Sequence, residues 1–181
     1  VRGTDQNRIN MTINGVPLND SESQTVFWVN MTDLAASMNS VNVQRGVGSS
    51  TNGASAFGAS VNMQTAKTTK NPYAQIDFNG GMYNTFRESV KFGTGLMKNG
   101  FSFDARFSKV NSDGYVERAF SDLYSYYASG AWYGMNTMVK LMAFGGGEKT
   151  YMAWDGIDST TLANNRRYNP AGHYIDDNGN D

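Results

Sequence analysis

Apolar and polar positions alternate along most of the second half of the chain. Ala74, Ile76 and Phe78 alternate with Gln75, Asp77 and Asn79. Val90, Phe92, Thr94 and Leu96 alternate with Ser89, Lys91, Gly93 and Gly95. Phe101, Phe103, Ala105 and Phe107 alternate with Ser102, Asp104 and Arg106. A period of two is the strand signal. Taking Asn99-Gly100 as a two-residue turn pairs Leu96 with Phe103, Thr94 with Ala105 and Phe92 with Phe107. Both apolar sets then fall on one face, as a specified register requires. Two further strands are predicted over Tyr124–Tyr133 and Thr137–Phe144, joined by a tight turn at Gly134-Met135-Asn136. In the first of these the outward parity stays open. Short turns thus alternate with long connections, one over Asn111–Asp122 and one after Trp154.

The first 66 residues follow a mixed pattern. Arg8–Ile13 reads as a strand, Asn14-Gly15 as a hairpin turn, and Val16-Pro17-Leu18 as a return strand on a sheet edge, because proline cannot donate to a ladder. Asp33–Met38 is a short helix candidate with Thr32 as its N-cap. Val41–Gln44 and Ser60–Met63 are further strands, separated by the small-residue stretch GVGSSTNGASAFGAS. The run KTTKNP, residues 67–72, reads as a linker.

Composition narrows the function classes. The 181 residues carry a net charge of −1, so no basic field points to nucleic acid. There are no cysteines, which excludes disulfides, cysteine–zinc sites and cysteine nucleophiles. Twenty glycines and 13% aromatics suit short strands and tight turns. No apolar run is long enough for a membrane helix. His173 is the only histidine, and no catalytic constellation forms around it, so an enzyme is not expected and no cofactor is implied. Asp176–Asp181 lacks the spacing of a calcium loop, and no metal site is expected. The alternating half fits a soluble sandwich with one buried sheet face. It also fits a transmembrane barrel, whose strands of nine to eleven residues point apolar side chains at lipid. Phe101, Trp132 and Tyr133 beside the short turns suit an interfacial aromatic girdle.

The first region resembles the plug domain of TonB-dependent outer-membrane receptors. Arg2-Gly3, Asn14-Gly15-Val16-Pro17, Arg45-Gly46, Gly58-Ala59-Ser60-Val61-Asn62 and Thr65 stand in that family's order. The stretches WYGMNTMVKLMAFGGGEKTYMAW and RRYNPAGHYIDDNGN look like receptors of this family from Bacteroidetes-type bacteria. Arg45-Gly46-Val47-Gly48 stands where that phylum's carbohydrate importers usually carry a Lys-Asp-Ala-like sequence, which weighs against a glycan. The resemblance implies a mainly β fold. Residues 1–66 would be the C-terminal half of an α+β plug, and residues 67–181 about five first antiparallel strands of a large transmembrane β-barrel with its loops. The chain is then expected to be a piece of a longer protein.

The resemblance also implies a role. It is TonB-dependent import of a scarce nutrient across the bacterial outer membrane, of an iron-siderophore, haem or cobalamin. The alternatives are a glycan or peptide importer partnered by a surface lipoprotein, or a soluble β-sandwich adhesin. Expected partners are TonB with its inner-membrane energising complex, outer-membrane lipid and the small-molecule nutrient. The apical plug loop would offer Asn19, Asp20, Ser21, Glu22, Gln24 and Trp28 to ligand, and the long loops Tyr115, Arg118 and Trp154. Arg2 and Arg45 of the plug, with Arg87, Asp104 and Arg106 of the wall, are the expected plug–barrel contacts.

Overall fold

A computed structural model describes residues 3–28, 31–47 and 57–172. They form two sheets. The first contains β1 (Ile9–Ile13), β2 (Val16–Pro17), β3 (Met38–Arg45) and β4 (Ala59–Thr65), in the order β2-β1-β4-β3. Asn14 and Gly15 take φ of +50° and +85°, and Ile13 faces Val16 across them. These are the left-handed values that a two-residue hairpin turn needs. Pro17 stands on the sheet edge, where its missing N–H leaves no gap in a ladder.

β1 is buried along its whole length rather than on one face. Ile9 and Met11 pack with Val26 and Ala59, while Ile13 packs with Leu34 and Met63. On the other face Thr12 donates to Asn62 Oδ1 at 2.9 Å. β4 runs parallel to β1 and antiparallel to β3, so this central pair carries the core. The amide of Gly46 donates to the carbonyl of Gly58 at 2.9 Å, which joins the two ends of the small-residue stretch.

The predicted helix over Asp33–Met38 is a single 3-10 turn, Leu34–Ser37. Asp33 precedes it at φ +48° and makes no side-chain cap. Thr32 does not cap it either; its hydroxyl donates to the carbonyl of Tyr124 at 3.0 Å. Asp33, in turn, points away from its own backbone toward the second sheet.

That sheet is an antiparallel meander of β5 (Tyr73–Gly81), β6 (Thr85–Gly93), β7 (Phe101–Ser112), β8 (Ser121–Tyr133) and β9 (Met138–Thr150). Its two faces differ as the alternation predicts. Phe92, Phe103 and Phe107 are 46%, 51% and 56% exposed, with no second protein layer over them among the described residues, which is not the packing of a sandwich. The opposite face carries Ser89, Ser102, Arg106, Ser108, Ser125, Tyr127 and Ser129, all buried. In β8 the outward parity is Tyr124, Tyr126 and Trp132.

The register at the β6–β7 hairpin differs by two residues from the expected one: Phe107 faces Val90, and Ala105 faces Phe92. The cause lies in residues 94–97. Thr94 still donates to the Phe103 carbonyl at 2.8 Å, but Leu96 turns away and donates to the Thr69 carbonyl at 2.9 Å. The chain closes through Met97 and Gly100, whose φ is +80°. A shift of two leaves every side chain on its predicted face.

β9 runs past Phe144 through Gly145, Gly146 and Gly147. Glycine weakens a strand because it contributes no side chain to pack. Here the rings of Tyr126 and Tyr124 lie over Gly145 and Gly147 and supply the missing cover. A short helix, α1 (Ser159–Asn164), follows; the carboxylate of Asp158 caps it by accepting from the amides of Thr160 and Thr161 at 2.8 and 2.9 Å.

Candidate functional site

The first sheet rests on the polar face of the second through a few specific contacts. At the centre is Asp33. Arg87 Nη2 donates to its two carboxylate oxygens at 3.0 and 3.3 Å. Arg106 Nη1 donates to Oδ2 at 2.9 Å, and the Ser108 hydroxyl donates to the same oxygen. Arg106 is held further: Nε donates to Ser37 Oγ at 2.8 Å, and Nη2 to the Asp33 carbonyl at 3.2 Å and to Ser125 Oγ at 2.9 Å. Its side chain is only 3% exposed. A guanidinium so buried requires this set of acceptors, because a lone charge there would be strongly unfavourable. Burial alone would raise the Asp33 carboxyl. The hydrogen bonds from Ser108 and Arg87 and the two guanidinium charges outweigh that and hold it below its ordinary value.

A second group of contacts lies nearer the short turns. Lys140 Nζ donates to Thr65 Oγ1 at 3.0 Å, and the Asn14 amide approaches Met142 Sδ at 2.9 Å. Met142 and Phe144 pack on Ile13, Leu34 and Met63. The Tyr133 hydroxyl donates to Thr68 Oγ1 at 2.8 Å, and Thr68 bonds Ser102 at 3.1 Å. Higher up, inward Gly146 lets Thr32 lie against the wall; a Cβ there would collide with the Thr32 hydroxyl and the Tyr124 carbonyl.

Of the expected plug–barrel residues, Arg87 and Arg106 meet Asp33 as described. Asp104 instead accepts from the Tyr73 hydroxyl at 2.9 Å, a bond within the second sheet. Arg45 ends β3 with its side chain exposed. Arg2 lies outside the described residues, as do His173 and the acidic run 176–181. Asp33 was not among the expected contacts. Its signal in the sequence is slight: Asp33 is one of four carboxylates in residues 1–66, and Arg87 and Arg106 of inward parity require an acceptor.

The loop over residues 19–28 divides its polar side chains in two. Asn19 is structural: it accepts from the Met11 amide at 2.8 Å and donates to the carbonyls of Ile9 and Gln24, both at 2.9 Å. Asp20 accepts from the amides of Ser23 and Glu22 at 2.8 and 3.0 Å and from the Ser23 hydroxyl, and these bonds lower its carboxyl below the ordinary value. Gln24, at φ +56°, donates to the Ser21 carbonyl at 3.1 Å. Ser21, Glu22 and Trp28 are exposed.

The long loops are knitted together. Arg118 Nη2 donates to the carbonyls of Asn169 and Ala171 at 2.6 and 3.0 Å. Asn169, which is buried, donates to the carbonyls of Glu117 and Met152, both at 2.9 Å. Tyr115 packs edge-on against Tyr83 at 5.5 Å, with Arg167 5.9 Å above the Tyr83 ring. Trp154 is 80% exposed. Tyr115 and Arg118 therefore hold the loops to one another, while Trp154, Ser21, Glu22 and Trp28 face outward.

The model of the TonB-dependent Receptor Plug Domain matches residues 1–60. No curated protein matches the chain at the sequence level. Among solved structures, the pyoverdine outer membrane receptor FpvA from Pseudomonas aeruginosa PAO1 superposes with a TM-score of 0.67 at 19% identity, over 80% of this chain and 21% of that one. The siderophore receptor PiuA from Acinetobacter baumannii gives 0.61 at 20% identity, over 86% and 22%. The copper transporter OprC gives 0.66 at 14% identity, over 83% and 24%. The chain thus spans about a fifth of the length of the structures it matches. Residues 1–60 thus match the plug-domain model, and the antiparallel strands after them share the fold of the early barrel strands in these receptors.

Proposed function

We propose that this chain belongs to an outer-membrane receptor that imports a scarce nutrient, with TonB and its inner-membrane complex supplying the energy. One observation carries this reading: a single sheet turns an exposed apolar face outward while its polar face grips a plug sheet through Asp33. An apolar face of that kind suits lipid, and a polar lumen filled by a domain suits a gated route. Five strands in register leave β5 and β9 as edges, which a bilayer tolerates only when further strands close the ring.

The nutrient is read as a metal chelate: an iron-siderophore, haem or cobalamin. Structural likeness to two proteins described as siderophore receptors supports this choice over a glycan. Exposed Ser21, Glu22, Trp28 and Trp154 are the residues proposed to meet it, by hydrogen bonding and by stacking on planar groups. The test is to purify the full-length receptor from its own membrane and measure bound metal and small molecules. An iron chelate, haem or cobalamin is expected. A bound oligosaccharide with a co-purifying lipoprotein would overturn the chelate reading and favour a glycan or peptide importer.

A further inference from the structure

The Asp33 contact has an asymmetry. Its donors all belong to the wall, from the neighbouring strands β6 and β7, and its acceptor belongs to the plug. The wall therefore presents a preformed carboxylate seat: two guanidinium groups and one hydroxyl converge on one pair of oxygens. Two observations indicate that the seat can take another occupant. Arg87 and Arg106 both line a polar cavity of about 330 Å³, walled by Gln75, Asp77 and Asn79 and roofed by Ala36 of the plug turn. The Tyr127 hydroxyl, buried and without a partner among the described residues, lines the same small void as Ser37 and Arg106. A spare donor and an open approach thus lie beside the charges.

Withdrawal of the plug turn would take Asp33, the Asp33 carbonyl and Ser37 away from Arg106 together. Arg106 then keeps Ser125 Oγ of the wall but loses its counter-charge, and it stands beside Arg87 with no carboxylate between them. We propose that Arg87, Arg106 and Ser108 form an oxyanion receptor, occupied at rest by the plug's own Asp33 and taken over by a carboxylate of the passing solute when the turn withdraws. The solute is then carboxylate-bearing, and its passage and the plug's release share one binding site. The identity of the incoming carboxylate rests on the transport reading; the receptor itself does not.

Chemical rescue tests this. The full-length receptor with Asp33→Ala is held in detergent, and its Tm is measured with formate, acetate, citrate or the neutral isostere acetamide at matched ionic strength. The substitution is expected to lower the Tm. Formate, acetate and citrate should restore it along saturating curves, and acetamide should not. The double variant Asp33→Ala/Arg106→Gln should show no rescue. If Asp33→Ala does not fold, recovery during refolding with acetate or acetamide is read instead, with the same expectation. Equal effects of acetate and acetamide, or no saturable effect of any carboxylate, would overturn the receptor. Rescue by formate and acetate but not citrate would confine the seat to small free anions and overturn the hand-over to cargo. None of these measurements requires transport. A receptor that carried no nutrient would sink the import reading and leave the rescue standing.

Discussion

Arginine in place of Ala105 probes the outward face at its most sensitive depth. Ala105 faces Phe92 and Ala128 across its two neighbours and shares its face with Phe103 and Phe107. It lies midway between Phe101, opposite Trp132 at the short-turn end, and Lys109, opposite Tyr124. The eight residue-to-residue steps from Phe101 to Lys109 span about 26 Å along a strand at ~3.3 Å each. At a tilt of ~40° this is about 20 Å along the membrane normal, inside an apolar band about 25 Å tall. Ala105 therefore sits at the midplane, where an arginine costs about 2–4 kcal/mol; near the interface the cost falls to about 0–1 kcal/mol. Asn111 provides the interfacial control, because it faces Phe86 and Asp122 one row above Lys109. Full-length receptors with Ala105→Arg and Asn111→Arg would be folded into phospholipid vesicles and their urea transitions followed by tryptophan fluorescence. The expected difference is about 1–4 kcal/mol, with Ala105→Arg the less stable. Equal costs at the two depths would refute the lipid-facing assignment.

Three other outcomes are expected. First, because the Asp33 carboxyl is held below its ordinary value of about 3.9, its contribution to docking is complete above that value and is lost as pH falls through the lowered one. A nitroxide on Ala35→Cys, in a chain without native cysteine, should stay immobilised down to about pH 4 and loosen below it. Asp33→Asn, which leaves Arg87 and Arg106 facing no carboxylate charge, should loosen at every pH, and mobilisation of the unsubstituted plug between pH 5 and 7 would contradict the assignment. Second, Asn19→Ala should cost the plug about 1–3 kcal/mol, since it unpairs the Met11 amide and two carbonyls; Ser21→Ala should leave stability unchanged, as thermal unfolding would show. Third, Gly146→Val should push Thr32 off the wall and press on the Tyr124 carbonyl of β8, lowering stability by about 1–3 kcal/mol and weakening amide protection across Tyr124–Gly147, measured by calorimetry and by amide exchange.

Much of this architecture is legible in local chemistry. Asn14-Gly15 and Pro17 mark a turn and an edge because backbone geometry leaves them few other places. The two faces of the meander follow from the period of two, and they survive the register shift at residues 94–97 because two residues restore parity. What stayed hidden depends on partners far along the chain. Gly145–Gly147 does not read as strand, because the rings that cover it come from Tyr124 and Tyr126. The helix expected after Thr32 shrinks to one turn because Thr32 and Asp33 bond to the wall instead of to their own backbone. Asn19 looks like a residue that meets ligand, as any loop asparagine does; only its bonds to β1 show that it fastens the loop.

The knitting of the long loops has a consequence for anything that recognises this protein from outside. Arg118 and Glu117 are about fifty positions from Asn165, Asn169 and Ala171, yet they form one continuous hydrogen-bonded patch. Its surface is a discontinuous epitope. A synthetic peptide copying either loop would present half of it, without the opposing carbonyls that fix its shape. Antibodies raised on such peptides should bind the denatured chain and miss the folded one, whereas binders selected on the intact receptor should lose their target once Arg118 is replaced.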